Sequence, residues 1–189
     1  MPPRAYRRYI RQIRRRYART TNITRRAGLA WYESEHQEIV RLARRTGYPI
    51  ERVAACLAVL SPRCHWPHAK AACGKLLAGE ETNGVFPHNL AKARAILAHG
   101  ADHAIDPQTA PKTWAFWHNL WHPDDPEPVT LDAWMFRAHR LKINAGLATY
   151  RILAEAYRRA AEDLQLIPNQ LQATIWLAAK VEGQRACTS

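Results

Sequence analysis

Apolar residues recur at helical spacing along most of the chain, and prolines and glycines cut the pattern into segments. Near the start, Tyr6, Ile10, Ile13 and Tyr17 share one helical stripe while Arg7, Arg11 and Arg14 share another face. Trp31, Ile39, Leu42 and Ala43 predict a helix over 31–46. It stops at Gly47 and hands over at Pro49 to a helix over 50–60, apolar enough to be buried. Ser61-Pro62 ends that helix, and Pro67 opens another to about residue 78 with Gly79 as its stop. A loop over 80–87 precedes a helix over 89–99, ended by Gly100. Residues 101–110 are turn-rich, and Pro111 starts a helix over 112–121. After a proline-rich loop over 122–128, Thr130 is expected to cap a helix over 131–141. A further helix follows over 146–165, and Pro168 opens the last one, with Gly183 as its expected end. No strand pattern, repeat or low-complexity linker interrupts the series, so the fold class is all-α.

A chain of 189 residues with 47% apolar and 23% charged residues has the balance of a folded globular protein, which excludes general disorder and a fibrous architecture. The longest apolar run, 53–60, is eight residues, against the roughly 20 needed to cross a bilayer. No membrane span is expected. The N-terminal charges have no apolar core behind them, and four cysteines form no recognisable disulfide framework. A reducing cytoplasm follows as the expectation. Charge changes the picture more. The formal net charge is +12, yet residues 1–26 hold ten arginines and no acid, so the remainder is nearly neutral. This polarity predicts an arginine-rich helical arm over 1–26 and a compact helical domain over 27–189. The arm would lie along a polyanion, with Arg7, Arg11, Arg14 and Arg15 neutralising phosphates. A membrane surface is the alternative partner, but the apolar stripe is thin and tyrosine-rich, which favours nucleic acid.

Three segments carry candidate chemistry. Leu57-Ala58-Val59-Leu60-Ser61-Pro62-Arg63 is a buried helix ending in a small polar turn, followed by His65, Trp66 and Ala69-Lys70-Ala71. Pro111-Lys112-Thr113-Trp114 is a helix start with a lysine in its first turn, and Val129-Thr130-Leu131-Asp132-Ala133-Trp134 is one with a carboxylate. In order and spacing these resemble the helix-hairpin-helix DNA glycosylase superfamily, in particular its endonuclease III-like branch. The likeness covers about residues 51–140. Trp31-Tyr32, Leu60 to Arg63 with Trp66, residues 116–120, residues 129–134 and Leu171-Gln172-Ala173 with Trp176 look like small phage and actinobacterial members of that superfamily.

The resemblance implies a two-lobed helical domain that binds double-stranded DNA and flips out a base. Loss of a base builds positive charge on the sugar, which a carboxylate near C1′ stabilises. Asp132 matches the family's catalytic aspartate. Lys112 matches the lysine that attacks C1′ in the branch with abasic-site lyase activity, and Thr113, which follows it as in the family's Lys-Thr-Ala, is a candidate DNA contact. Arg63 is the candidate wedge that fills the vacated stack, and Trp66 and Trp134 are the candidate lining of the base pocket. Three departures are plain, the first being that the family histidine two residues after the aspartate is replaced by Trp134. The family's glycine hairpin is replaced by Gln108-Thr109-Ala110-Pro111, and its C-terminal four-cysteine signature is absent, so no iron–sulfur cluster or other cofactor is expected. Cys64, His65, His68 and Cys73 do not have a standard zinc spacing, and no metal is expected. Asp132 also fits a simple helix cap, Lys112 a solvated first-turn residue, Trp114, Trp117 and Trp121 a core face, and Gln172 a tether between helices. Two other functions stay open: processing of hypermodified thymines in phage DNA, and DNA binding without chemistry.

Overall fold

The computed structural model describes residues 4–143 and 145–186, and among them every regular element is helical. In chain order these are α1 (Arg4–Ala18), α2 (Asn22–Thr46), α3 (Ile50–Leu60), α4 (Trp66–Leu77), α5 (Pro87–His99), a 3₁₀ turn at Ala101–His103, α6 (Pro111–Trp121), α7 (Ala133–Ala138), α8 (Gly146–Asp163) and α9 (Pro168–Ala186). No helix among the described residues is long and apolar enough to cross a membrane. Cys187 lies outside the described residues.

The chain forms two compact units, one from Met1–Tyr32 with Asp124–Ser189 and the other from Glu33–Pro123, with α2 running from the first into the second. The second unit is built around α3. From Val53 to Leu60 every residue is buried, as a helix apolar on all sides must be, and α4, α5 and α6 surround it. Polar groups at its edges are satisfied across elements. Arg52 Nη1 donates to the carbonyl of Leu97 at 2.6 Å, and Glu51 Oε1 accepts from the Ala101 amide at 3.3 Å.

The first unit packs α1 against α8 and α9, and α9 against α7 and α8. Its core includes Tyr9, Ile13, Leu131, Met135, Phe136, Leu153, Tyr157, Leu171 and Ile175. The N-terminal helix therefore differs from the expected arm. The predicted stripe packs into the unit: Ile13 is 0% exposed, Tyr6, Ile10 and Tyr17 are partly buried against the core, and Tyr9, outside the predicted stripe, is 5% exposed. Burying such side chains stabilises by about 2 kcal/mol each, which anchors α1 in the unit while Arg7, Arg11, Arg14 and Arg15 stay exposed. No boundary falls at residue 26 either. Arg25 on α2 turns back to donate through Nη2 to the carbonyls of Tyr17 and Ala18, at 3.1 and 2.9 Å, which caps the C-terminal end of α1.

Two helix ends also differ from expectation. The helix expected over 131–141 is the single short α7, capped by Asp132 and not by Thr130, because Thr130 and Leu131 are buried ahead of it. Gly183 does not stop α9; it lies inside the helix, where the six-membered ring of Trp134 occupies the space a Cβ would take.

His139, at the C-terminal end of α7, is 4% exposed and shares a 2.8 Å hydrogen bond with the Tyr157 hydroxyl. Burial, with a smaller contribution from the Arg16 charge, lowers its pKa from 6.5 to about 4. Between those values the unfolded chain holds a proton that the folded chain does not, so stability falls as pH drops from 6.5 toward 4. The expected loss is roughly 3 kcal/mol across that window. Thermal melts from pH 7 to pH 4 check it; a His139→Gln protein, less stable at pH 7, should show a visibly flatter profile.

Candidate functional site

Asp132 sits where an extended segment turns into α7. Its Oδ1 accepts from the Met135 amide at 3.0 Å, an N-cap interaction, and its Oδ2 accepts from the indole Nε1 of Trp176 on α9 at 2.9 Å. Each oxygen thus receives one donor and keeps lone-pair capacity, in a half-buried setting. The segment leading into it is pinned by Tyr150 of α8, whose hydroxyl donates to the Val129 carbonyl at 2.7 Å and accepts from the Leu131 amide at 3.4 Å. Burial pushes the pKa of that phenol up and keeps it protonated. Tyr150→Phe leaves two buried backbone groups without a partner, so it should cost about 2 kcal/mol, measured by denaturant unfolding.

An aromatic ring and an ammonium flank the carboxylate's partner. Trp176 meets Trp31 edge-to-face with ring centroids 5.6 Å apart, and Lys180, one turn further along α9, places Nζ 4.3 Å from the Trp176 ring centroid. Tyr32 donates from its hydroxyl to Gln172 Oε1 at 3.1 Å, so Gln172 ties α9 to α2, as its tether reading expects. Trp134, one of the two tryptophans expected in a base pocket, lies against Gly183 with the Arg137 guanidinium 5.1 Å from its ring centroid. Lys180 is a residue that the sequence reading missed. Its signal was present, because Trp176 and Lys180 are four apart on one helix and so share a face. The pairing of Trp176 with Asp132 spans 44 residues and carries no local sign.

The α1 arginines Arg7, Arg11, Arg14 and Arg15 share the first unit with Asp132, and the remaining candidates belong to the other unit. Arg63 lies in the turn between α3 and α4 with φ +57°, a left-handed conformation uncommon for a side chain of this size, and its guanidinium is 5.7 Å from the Phe86 ring centroid. Trp66 packs edge-to-face on Phe116 of α6 at 5.5 Å. Lys70, 5.8 Å from the Trp66 ring centroid, is bound by Glu38 at 2.6 Å and Glu35 at 3.1 Å. Burial opposes its charge, but those two hydrogen bonds outweigh it and raise its pKa, so it stays an ammonium. Lys112 and Thr113 are half-buried in the first turn of α6, behind Pro111 and an Ala110 that offers no side-chain cap. Further along, Trp117 is buried and stacks on Trp121 with the rings 3° from parallel, which places Trp117 in the core.

The turn before α6 is closed by Asp106, which accepts from the Gln108 amide and the Thr109 hydroxyl, both at 2.9 Å. These hydrogen bonds lower its pKa and keep it ionised. A carboxylate in this turn repels phosphate where the glycine hairpin of the resembled family would attract it. The Cys64, His65, His68 and Cys73 set does not form a centre. Cys73 is buried in α4, where burial pushes its thiol up to about 12, and no group of three or more His, Cys, Asp or Glu among the described residues could hold a metal ion.

Asp132 and its aromatic neighbours thus belong to the first unit, whereas Lys112, Thr113, Arg63 and Trp66 belong to the second. A model of a protein family of unknown function, DUF7178, matches residues 2–184. No curated protein and no solved structure matches the chain.

Proposed function

The chain belongs to the DUF7178 family, and we propose that it is a DNA N-glycosylase of helix-hairpin-helix type that removes a damaged or modified base. The observation that carries this reading is the Asp132 carboxylate, held by one donor on each oxygen, Met135 N–H and Trp176 Nε1–H, beside a group of tryptophans. A carboxylate fixed in direction before the reaction stabilises the positive charge that grows on C1′ as the base departs, and it pays no reorganisation cost at that moment. Its spare lone pairs orient the attacking water. The half-buried setting strengthens the interaction relative to bulk water.

The other candidates take supporting roles. Arg7, Arg11, Arg14 and Arg15, exposed on α1, contact backbone phosphates, and Thr113 adds a contact from α6. In the unit that holds Asp132, Trp134 supplies a face for the flipped base; Arg63 as wedge and Trp66 as pocket lining rest on the resemblance alone. Lys112 is the candidate nucleophile for lyase chemistry. On abasic DNA its unprotonated amine adds to the ring-opened C1′ aldehyde with loss of water, and removal of a C2′ proton from the resulting Schiff base eliminates the 3′ phosphate.

Mass spectrometry of products released from duplexes carrying a panel of modified bases tests the reading. A free base with an abasic strand supports a glycosylase. An altered thymine still joined to its sugar would point to processing of hypermodified DNA, and tight binding with no product would leave a DNA-binding protein. Borohydride trapping separates the two modes of cleavage: an adduct with abasic DNA that vanishes in Lys112→Ala assigns the lyase step.

A further inference from the structure

A second feature of the first unit has no part in base release. A cavity of about 460 Å³ opens among α1, the C-terminal end of α7 and α9, lined by Arg15, Arg16, Arg19 and Arg140 with Gln12 and His139. We propose that this cavity binds a phosphate group, with the arginines clamping its oxygens and Gln12 and His139 supplying hydrogen bonds from the floor.

Charge is the first support. Arg15, Arg19 and Arg140 pair with no carboxylate among the described residues, and the one acid lining the cavity, Glu182, lies at its rim, where it pairs with Arg16 at 3.4 Å. Guanidinium forks match a tetrahedral oxyanion bearing several acceptor oxygens. The second support is independent of charge. His139 is 4% exposed, its Nε2 is engaged by Tyr157, and its buried Nδ1 has no partner; Oε1 of Gln12 is likewise buried and without one. Buried polar atoms are almost always satisfied, and two orphans in one cavity mark a group that would complete them. With the Tyr157 hydroxyl donating to Nε2, the neutral ring carries its proton on Nδ1, a donor suited to an anion, and rotation of the Gln12 amide offers a second. Arg140 adds a third sign. It holds φ +56°, a conformation that favours glycine, yet the position carries a long cationic side chain.

The phosphate could belong to a nucleic-acid backbone or to a small free phosphate, and the test separates these sources without relying on the glycosylase reading. Calorimetry on the full chain at constant ionic strength uses inorganic phosphate in one arm and a short undamaged duplex in the other. Binding of inorganic phosphate, weakened at least tenfold in Arg140→Gly, assigns a free-phosphate site. Binding of the duplex alone with the same loss assigns a backbone contact. Arg140→Gly should also melt at a higher temperature, because glycine relieves the left-handed backbone, so lost binding with gained stability cannot be a folding defect. Glu182→Gln, which removes the competing carboxylate, should tighten the interaction several-fold. Arg151→Gln, an equal charge loss on the exposed face of α8, should leave inorganic phosphate binding unchanged. The proposal is overturned if neither probe binds, if Arg140→Gly and Arg151→Gln weaken binding equally, or if Glu182→Gln has no effect.

Discussion

Asp132→Asn should release a base about a thousandfold more slowly than the wild type while binding DNA within about threefold. The rate effect follows from charge. Only the ionised carboxylate offsets the cation that forms on the sugar, and an amide of nearly the same shape supplies a dipole in its place. The structure also predicts a stability effect that must be kept apart from the rate. Asp132 accepts from two donors, Met135 N–H on Oδ1 and Trp176 Nε1–H on Oδ2, whereas asparagine has one acceptor oxygen. One donor then faces the amide NH₂, at a cost of about 1–2 kcal/mol. Trp176→Phe provides the control, because it removes one donor and keeps the carboxylate. It should lose comparable stability yet retain most of the base release, measured under single-turnover conditions. A thousandfold loss in Trp176→Phe as well would mean that the hydrogen bond, and not the charge, is what matters.

Gly28→Ala should destabilise the first unit by about 4 kcal/mol and lower its melting temperature by roughly 10 °C. Gly28 on α2 is the point where that helix approaches α9, and a Cβ there would run into Thr174, including its backbone nitrogen and Cα. Thr174 is fully buried, and its hydroxyl is tied to the Gln170 carbonyl at 2.8 Å, so the neighbour has no room to yield. Trimming the side chain should not help: Thr174→Ala is not expected to rescue Gly28→Ala, since the obstruction is main chain. The same crossing brings Trp31 onto Trp176 and Tyr32 onto Gln172, so forcing it apart should also disturb the partner of Asp132. Gly74→Ala is the contrasting case. That helix-interior glycine has nothing within 4 Å of an added Cβ, and the substitution should stabilise α4 by about 0.5–1 kcal/mol. Circular dichroism melts of the two variants should move in opposite directions.

Much of the helical framework was legible in the chain because its signals are local. Pro49 and Ser61 bound α3, Pro111 opens α6, and Gly47, Gly79 and Gly100 follow helix ends with positive φ. Errors arose where a local signal has two meanings that only a distant partner resolves. Gly183 could end a helix or admit a close neighbour, and the neighbour is Trp134, 49 positions earlier. Thr130 and Asp132 are both good caps, and the choice is made by tertiary contact, since Tyr150 holds the backbone at Val129 and Leu131 extended until Asp132. The start of α2 at Asn22 was hidden for a related reason. Its first turns face α9 through the small residue Gly28, which carries no hydrophobic periodicity. The N-terminal arginines suggested a separate arm because charge dominates their composition, yet the few apolar residues between them are enough to seat the helix.

The candidate site divides the same way. Asp132 at a helix start, the tryptophans and the arginine face were all visible as residues in sequence. The indole that fixes the carboxylate, the lysine above that indole and the acid that closes the turn before α6 were not assigned, because each depends on side chains meeting in space.

The most direct test of the central claim uses two duplexes that differ only at one abasic position: a pyrrolidine ring, cationic at neutral pH, against a tetrahydrofuran ring of the same size. If Asp132 stabilises a positive sugar, the wild-type chain should bind the pyrrolidine duplex about 100-fold more tightly, and Asp132→Asn should bind the two alike. Equal affinity of the wild type for both duplexes, or a preference that survives in Asp132→Asn, would contradict it.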